Sequence, residues 1–208
     1  MTDVKICGVK TPETLHAVRQ AGASHVGFVF FSKSPRNVSL AEARDLSAQA
    51  DGLVRVGLFV DPDDELIAAT APMFDVLQLH GGETPERAAA LRSRFGTQVW
   101  KALGVSSRAE VAAASQYRGA ADMILFDAKP PEGAALPGGR GVRFDWQLLK
   151  EVKPGQSWGL AGGLTPENVA EAIAATNAPL VDASSGVEDV PGQKSAAKIA
   201  AFMEAVKR

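Results

Sequence analysis

Residues 4–13 read VKICGVKTPE and contain the two elements from which the whole chain is built. The first four, Val4–Cys7, form a short apolar run that predicts a β-strand buried on both faces. A brief turn leads to Thr11-Pro12-Glu13, where threonine suits the N-cap and proline suits the first position of an α-helix. The same strand–turn–helix unit recurs along the rest of the chain.

Apolar runs of the same kind recur to the C-terminus. They are dense in Val, Ile, Leu and Phe rather than alternating, as expected for a parallel sheet covered on both faces. The predicted strands are Val4–Cys7, His25–Phe30, Leu53–Val60, Val76–His80, Gln98–Leu103, Met123–Asp127, Trp158–Ala161 and Leu180–Ala183.

Helix-start signals lie between these runs. They are Thr84-Pro85-Glu86, Thr165-Pro166-Glu167, the capping box Ser39-Leu40-Ala41-Glu42, the acids of Asp61-Pro62-Asp63-Asp64, the cap residues Ser106 and Ser195, and a short segment at Phe144-Asp145-Trp146.

Strict alternation of strands and helices predicts an α/β fold, a single-domain (β/α)8 TIM barrel with short loops spanning residues 1–208. A doubly wound open sheet is the alternative, but the turn Cys7-Gly8-Val9-Lys10-Thr11 does not match the glycine fingerprint common in that fold. The main long connection is Lys129–Arg143, which is rich in proline and glycine and long enough to cover a ligand.

Composition narrows the class of protein. A formal net charge of -2 and a sequence pI of about 5.9 offer no basic surface for nucleic acid or an anionic membrane. A single cysteine supplies no thiolate cluster for zinc, and no His/Asp/Glu set has metal-ligand spacing. The N-terminus lacks the plan of a signal peptide. We expect a soluble cytoplasmic protein without a metal.

Four polar side chains fall at predicted strand ends, namely Cys7, His80, Asp127 and Asp182. In a barrel these ends share one mouth, where reacting groups gather. A thiol and a carboxyl group can serve as base and acid of a proton transfer, so Cys7 and Asp127 are the candidate pair. Lys5 shares the strand face of Cys7 and could help to lower the pKa of the thiol. The alternatives are a packed cysteine and a loop-capping aspartate.

Two loops of small residues favour phosphate binding. Gly162-Gly163 follows the seventh strand and Ser184-Ser185 follows the eighth, the two positions where barrels often hold a phosphate. Arg36, after the second strand, could bind a carboxylate through two parallel hydrogen bonds. His80 could donate to a ligand or could simply be packed at its strand end.

These motifs together resemble the phosphoribosylanthranilate isomerase family of tryptophan biosynthesis, over the whole length of the chain. The resemblance rests on Val4–Gly8, Val26–Phe30 with Ser34-Pro35-Arg36, Val56–Val60, Gln78–Gly81, Asp127 with Gly139–Trp146, Ala161–Leu164 and Val181–Glu188. It implies a (β/α)8 barrel that converts N-(5-phosphoribosyl)anthranilate to its 1-deoxyribulose form without a cofactor. The expected ligand is thus a small phosphorylated molecule.

The resemblance also implies roles for individual residues. Asp127 matches the general acid that protonates the furanose oxygen, and Cys7 matches the general base that removes the proton from C2. Arg36 matches the residue that meets the anthranilate carboxylate, and Asp182 a carboxylate near the ribose hydroxyls. Gly162-Gly163 and Ser184-Ser185 match the phosphate site.

The sequence also allows other functions for such a barrel. A histidine-pathway or dual-substrate isomerase resembles the scaffold but carries aspartate in place of Cys7, and a ribulose-phosphate epimerase would need a metal-binding set. An inactive barrel that binds a phosphate ligand is a further alternative. The sequence leaves open whether the protein is a monomer or a homodimer.

Overall fold

A closed barrel of parallel strands forms the centre of the computed structural model, which describes residues 2–129, 143–150 and 155–207. Each strand pairs with the next in chain order, and the last pairs with the first, so the open sheet is excluded. The barrel strands are β1 (Asp3–Cys7), β2 (His25–Phe30), β3 (Val54–Phe59), β4 (Val76–Leu79), β5 (Gln98–Val105), β6 (Met123–Ala128), β7 (Ser157–Leu160) and β8 (Leu180–Ala183).

Helices connect the strands on the outside of the barrel. Within the described residues the α-helices are α1 (Pro12–Ala21), α2 (Leu40–Ala48), α3 (Asp64–Thr70), α4 (Pro85–Phe95), α5 (Arg108–Ala113), α6 (Val169–Thr176) and α7 (Ala196–Val206). Short 3₁₀ turns lie at Ala71–Met73, Ala114–Tyr117, Trp146–Leu149 and Ser185–Val187. No helix in the described ranges is both long enough and apolar enough to cross a membrane.

Four of the predicted helix starts are confirmed in atomic detail. The hydroxyls of Thr11 and Thr84 cap α1 and α4, each with proline in the first helical positions. Ser39 forms the predicted capping box with Glu42. In the acidic segment before α3, Asp63 is the residue that caps the helix, its carboxylate accepting from the backbone N–H of Leu66.

Two cap assignments are wrong. The cap of α5 is Ser107 rather than Ser106, because the Ser107 hydroxyl accepts from the Glu110 N–H, whereas Ser106 contacts the Glu110 carboxylate. Thr165 does not open α6. Asn168 accepts from the Thr165 N–H at 2.8 Å and holds a local turn, which delays the helix until Val169.

Two further starts differ in type or chemistry. Ser195 stands at the N-cap of α7, but its side chain makes no capping hydrogen bond. The short helix predicted from Phe144-Asp145-Trp146 is a 3₁₀ turn, although Asp145 caps it as expected. Most of the Lys129–Arg143 connection lies outside the described residues.

The strand ends shift by one or two residues from the predicted bounds. Leu53, Val60, His80 and Ala161 lie just outside β3, β4 and β7, and β5 continues to Val105. Hydrogen bonding between neighbouring strands can continue beyond these bounds. The backbone N–H of His80, just after β4, donates to Phe59 O on β3 at 2.8 Å.

Side chains alternate between the barrel interior and the helix layer. Val56, Trp100 and Leu125 belong to the interior cluster, whereas Phe126 and Phe202 belong to the larger cluster between strands and helices. The polar residues at the mouth end of the strands point inward with the first group. The fold therefore directs the candidate site residues toward one opening.

One element had no counterpart in the sequence predictions. After β8 the chain forms a two-stranded antiparallel hairpin, β9 (Glu188–Val190) and β10 (Gln193–Lys194), before α7 begins.

Candidate active site

A cavity open to solvent lies at the C-terminal ends of the barrel strands, with about 680 Å³ of space when the solvent at its mouth is included. Every site residue predicted from the sequence lines it, and the walls between them are partly apolar, with Val29, Leu58 and Leu164 among the lining residues. The predicted residues that line it are Cys7, Arg36, His80, Asp127, Gly162, Gly163, Asp182, Ser184 and Ser185. The barrel thus brings together groups that are up to 178 positions apart in the sequence (185 − 7).

Cys7 sits above a buried ion pair inside the barrel. Lys5 and Asp182 are register partners on β1 and β8, and the Lys5 ammonium donates to Asp182 Oδ2 at 2.8 Å. A Cβ atom placed on Gly27 would lie 2.9 Å from the Cys7 Sγ and 3.1 Å from the Lys5 Nζ, so both groups border the same small space. Only glycine at position 27 leaves that space open.

The electrostatics of Cys7 differ from the sequence expectation. Burial is the largest influence and raises the pKa of the Cys7 thiol, while the Lys5 ammonium opposes that effect without outweighing it. Lys5 therefore acts in the expected direction, but burial of the thiol with Val29 and Leu58 outweighs it, and the net shift of the Cys7 pKa is upward. Cys7 rests as a thiol, and its ionised fraction grows as pH rises.

Lys5 remains charged despite its position. Burial disfavours the ammonium, but the Asp182 carboxylate and the neighbouring Cys7 outweigh it, so the pKa of Lys5 is raised. Its side chain is 0 % exposed, and that of Asp182 is 7 % exposed. Asp182 Oδ1 is buried and has no hydrogen-bond partner among the described residues, although the Asp182 side chain borders the cavity.

Loss of the Lys5 charge is expected to destabilise the protein strongly. Lys5→Met would leave the Asp182 carboxylate buried without its cation, which typically costs about 3–5 kcal/mol. Urea unfolding measures the loss. Arg55→Met is the matched control, because the Arg55–Asp75 pair on the outside of the barrel is more than a third exposed on average and its removal should cost less than about 1 kcal/mol. Equal losses in the two variants would contradict this account of the buried pair.

Asp127 lies on the far side of the mouth, at the end of β6. Its Oδ1 accepts from the Ala128 N–H at 2.7 Å, and its Oδ2 lies 3.2 Å from His80 Nε2. The amide nitrogen of Gln78 lies 3.3 Å from His80 Nδ1 and can only donate, so Nδ1 accepts and the ring N–H is on Nε2. The histidine therefore offers an N–H next to the Asp127 carboxyl group.

Arg36 is held in place by a carboxylate rather than extended into solvent. Its Nε donates to Glu188 Oε1 at 2.8 Å and its terminal nitrogen donates to Oε2 at 2.7 Å. Both side chains are buried, and Arg36 also lines the cavity. The guanidinium is thus oriented before any ligand arrives.

The two small-residue loops pack against each other at the cavity wall. Gly162 has φ of 86°, and a Cβ there would lie 2.6 Å from the backbone nitrogen of Ala128. A Cβ on Gly186 would lie 1.9 Å from the carbonyl oxygen of Leu164. Asn168 steadies the first loop by donating to Gly163 O at 2.9 Å. A side chain at position 162 would push the first loop away from the end of β6, and a side chain at position 186 would push the two loops apart.

The described residues contain no group of three or more His, Cys, Asp and Glu side chains that could hold a metal ion.

The family model for N-(5'-phosphoribosyl)anthranilate isomerase matches residues 4–205 of the chain. The chain belongs to this family. The match includes all eight barrel strands from Val4 onward and every cavity residue named above.

Individual members of the phosphoribosylanthranilate isomerase family agree over the full length. N-(5'-phosphoribosyl)anthranilate isomerase of Paramagnetospirillum magneticum is 50% identical over 208 residues, which cover 99% of this chain and 97% of the relative. A monomeric form generated from the dimeric isomerase of Thermotoga maritima superposes with a TM-score of 0.86 at 35% identity, covering 100% and 99% of the two chains. A family structure in complex with reduced 1-(o-carboxyphenylamino)-1-deoxyribulose 5-phosphate gives 0.87 at 36%, with the same coverage.

Sequence reasoning missed several residues around this family site. Glu188 stood within a quoted motif but had no assigned partner, and Gln78 was not connected to His80. Lys194 carried no signal at all, because the hairpin that brings it inward was not predicted. For Gln78, its two-residue spacing from His80 on one strand face would have been a usable signal.

Proposed function

We propose that this protein isomerises N-(5'-phosphoribosyl)anthranilate to 1-(2-carboxyphenylamino)-1-deoxyribulose 5-phosphate, as a cofactor-independent step of tryptophan biosynthesis. The observation that carries the proposal is a single cavity in which a thiol on β1 and a carboxyl group on β6 accompany an oriented arginine and two small-residue loops. The family match over residues 4–205 supports the same reaction.

Asp127 acts first, as general acid. It gives its proton to the furanose ring oxygen, the C1–O bond breaks, and the lone pair of the anthranilate nitrogen forms the Schiff base with C1. The carboxylate that remains is stabilised by the Ala128 N–H and by the His80 ring N–H next to Oδ2. Because the substrate's own amine supplies the iminium, no added electron sink is required.

Cys7 acts second, as general base. The thiolate takes the proton from C2, and the electron pair of that C–H bond moves toward the iminium nitrogen to give an enolamine, which tautomerises to the ketone. Because the pKa of Cys7 is raised, only a small fraction of the thiol is ionised. The same raised pKa makes the thiolate a stronger base toward the C2–H bond. Lys5 lies where it can pair with the thiolate while the reaction proceeds.

The remaining cavity residues bind the substrate. Arg36 meets the anthranilate carboxylate, and the Asp182 carboxylate accepts from a ribose hydroxyl. The loops at Gly162-Gly163 and Ser184-Ser185 hold the phosphate, as barrels often do after strands seven and eight. His80 positions Asp127 and borders the ribose.

We also propose a domain organisation, an oligomeric state and a cellular location for the protein. Residues 1–208 make up one catalytic domain, which works in the cytoplasm as a monomer or homodimer. Its ligand is a small phosphorylated molecule rather than nucleic acid, consistent with a net charge of -2.

Rescue of two bacterial auxotrophs tests the function. The coding sequence should restore growth without tryptophan to a strain that lacks phosphoribosylanthranilate isomerase. It should not restore growth without histidine to a strain that lacks the corresponding histidine-pathway isomerase. Rescue of both strains would favour a dual-substrate enzyme. Rescue of neither by a soluble, expressed protein would contradict the proposal and favour the inactive ligand-binding barrel.

A further inference from the structure

The β9–β10 hairpin brings a second buried ion cluster to the edge of the cavity. Its members are Arg36, Glu188 and Lys194, and the Glu188 and Lys194 side chains are only 3 % and 1 % exposed. The reaction steps proposed above use Arg36 but assign nothing to Lys194. A buried lysine at the margin of a catalytic cavity calls for a physical explanation, because burial of a charge is costly unless it is paired.

Glu188 is the hub of this cluster. Besides the two hydrogen bonds from Arg36, its Oε1 accepts from the Lys194 ammonium at 2.5 Å and its Oε2 accepts from the Gly192 N–H at 3.2 Å. The hairpin also touches the loop that carries Arg36, because a Cβ on Gly192 would lie 2.6 Å from Pro35 O. Lys194 therefore helps to fix the carboxylate that orients Arg36.

Lys194 is also connected to Cys7, the proposed general base, through Ser184. Its Nζ lies 3.2 Å from Ser184 O and 3.5 Å from the Ser184 hydroxyl, and that hydroxyl donates to the backbone oxygen of Cys7 at 3.0 Å. Three oxygens thus surround the three N–H groups of one ammonium. A continuous path of polar contacts joins the Cys7 backbone to the Arg36 guanidinium through Ser184, Lys194 and Glu188.

We propose that Lys194 is a positioning residue that holds Cys7 and Arg36 in a fixed relation, so that C2 of the ribose meets the thiol when the carboxylate is bound. The proposal rests on the function proposed above. Arg36 holds the substrate at its carboxylate end. The C2 hydrogen then lies next to the thiol only if Cys7 stays at a constant distance from Arg36.

Charge adds to this geometric role. The charged groups that act on Cys7 are Lys5 and Asp182 within the barrel and Lys194 from the hairpin, and those that act on Lys194 are Glu188, Arg36 and Cys7 itself. Lys194 is thus one of the two cations that favour the Cys7 thiolate. Its removal should hinder ionisation of Cys7 as well as loosen Arg36.

Lys194→Met tests both effects in the full-length protein. Because the chain has a single cysteine, the rate of its alkylation by iodoacetamide as a function of pH reports Cys7 alone and needs no substrate. We expect alkylation at neutral pH to slow about threefold or more, with the profile shifted to higher pH. We also expect the KM for phosphoribosylanthranilate to rise about threefold or more, since residues in one hydrogen-bond network are coupled.

Lys198→Met is the matched control. Lys198 also contacts the hairpin, through Glu188 O at 2.6 Å and Asp189 at 3.2 Å, but it is half-exposed and touches neither Ser184 nor the Glu188 carboxylate. It should leave both readouts at wild-type values. Lys194→Arg keeps the charge but not the compact three-donor geometry, so it should restore the alkylation profile and leave KM raised.

Folded Lys194→Met that changes only one readout, or neither, relative to Lys198→Met overturns the proposal. If Lys194→Met does not fold, Lys194→Arg decides: a raised KM with wild-type alkylation supports the role, and an unchanged KM overturns it. Lack of turnover in the wild type would instead refute the proposed function. The alkylation profiles would then still decide whether Lys194 acts on Cys7.

Discussion

Replacement of Cys7 by alanine is expected to lower kcat at least about a hundredfold, the usual scale for loss of a general base, with little change in KM. Three other side chains of the cavity, Asp182, Arg36 and Asp127, cannot take over the step. Asp182 is paired with Lys5, Arg36 holds no basic lone pair, and Asp127 is committed to the acid role next to His80. The thiol itself makes no hydrogen bond that anchors substrate, which is why binding should persist.

The measurement is the steady-state loss of phosphoribosylanthranilate fluorescence, with the substrate generated in situ and folding checked by circular dichroism. Ser47→Ala is a suitable control because it also deletes one buried atom, from a hydroxyl on α2 that has no hydrogen-bond partner in the described structure. It should keep wild-type kcat. A folded Cys7→Ala variant with kcat within about threefold of wild type would show that Cys7 is a packed residue rather than the base.

Replacement of Asp127 by asparagine is expected to reduce kcat by a similar factor, about a hundredfold or more. Asparagine keeps the shape of the side chain, and its oxygen can still accept from the Ala128 N–H. What it lacks is the acidic proton for the furanose oxygen, so the ring stays closed. Substrate binding through Arg36 and the phosphate loops should be retained.

Asp122→Asn provides the comparison on the same segment of chain. Asp122 precedes β6 at the opposite end of the barrel, where it accepts from the Val99 N–H and pairs with the partly exposed Arg92. Its loss should cost less than about 1 kcal/mol of stability and leave kcat unchanged. Comparable kcat in the two variants, both folded, would rule out Asp127 as the acid.

The sequence predicted what depends on local pattern. Strand ends at Cys7, Asp127 and Asp182 follow from apolar runs, and in a closed barrel all such ends meet at one mouth. The cap at Thr11 was equally predictable, because a threonine followed by proline satisfies the first turn of α1 through its own side chain. At Thr165 the same signal failed, since the nearby Asn168 offered a competing hydrogen bond that no propensity rule weighs.

Features that depend on distant contacts were not predictable. The raised pKa of Cys7 comes from burial among Val29 and Leu58, residues of other strands, whereas the sequence offered only the charge of Lys5. Glu188 contacts Arg36, which is 152 positions away in the sequence, and Lys194, which is 6 positions away. Glu188 and Lys194 lie in a hairpin whose strands are only three and two residues long. Elements that short have too little periodicity to be recognised.

The most direct test of the central claim is the rate at which the wild-type protein consumes phosphoribosylanthranilate. A protein that carries both an acid and a base in one oriented cavity should turn over the substrate at roughly 1 s⁻¹ or faster, the common range for enzymes. The product should be the deoxyribulose phosphate. A folded wild-type protein that leaves the fluorescence decay at its spontaneous rate would contradict the assignment of Cys7 and Asp127 to this chemistry.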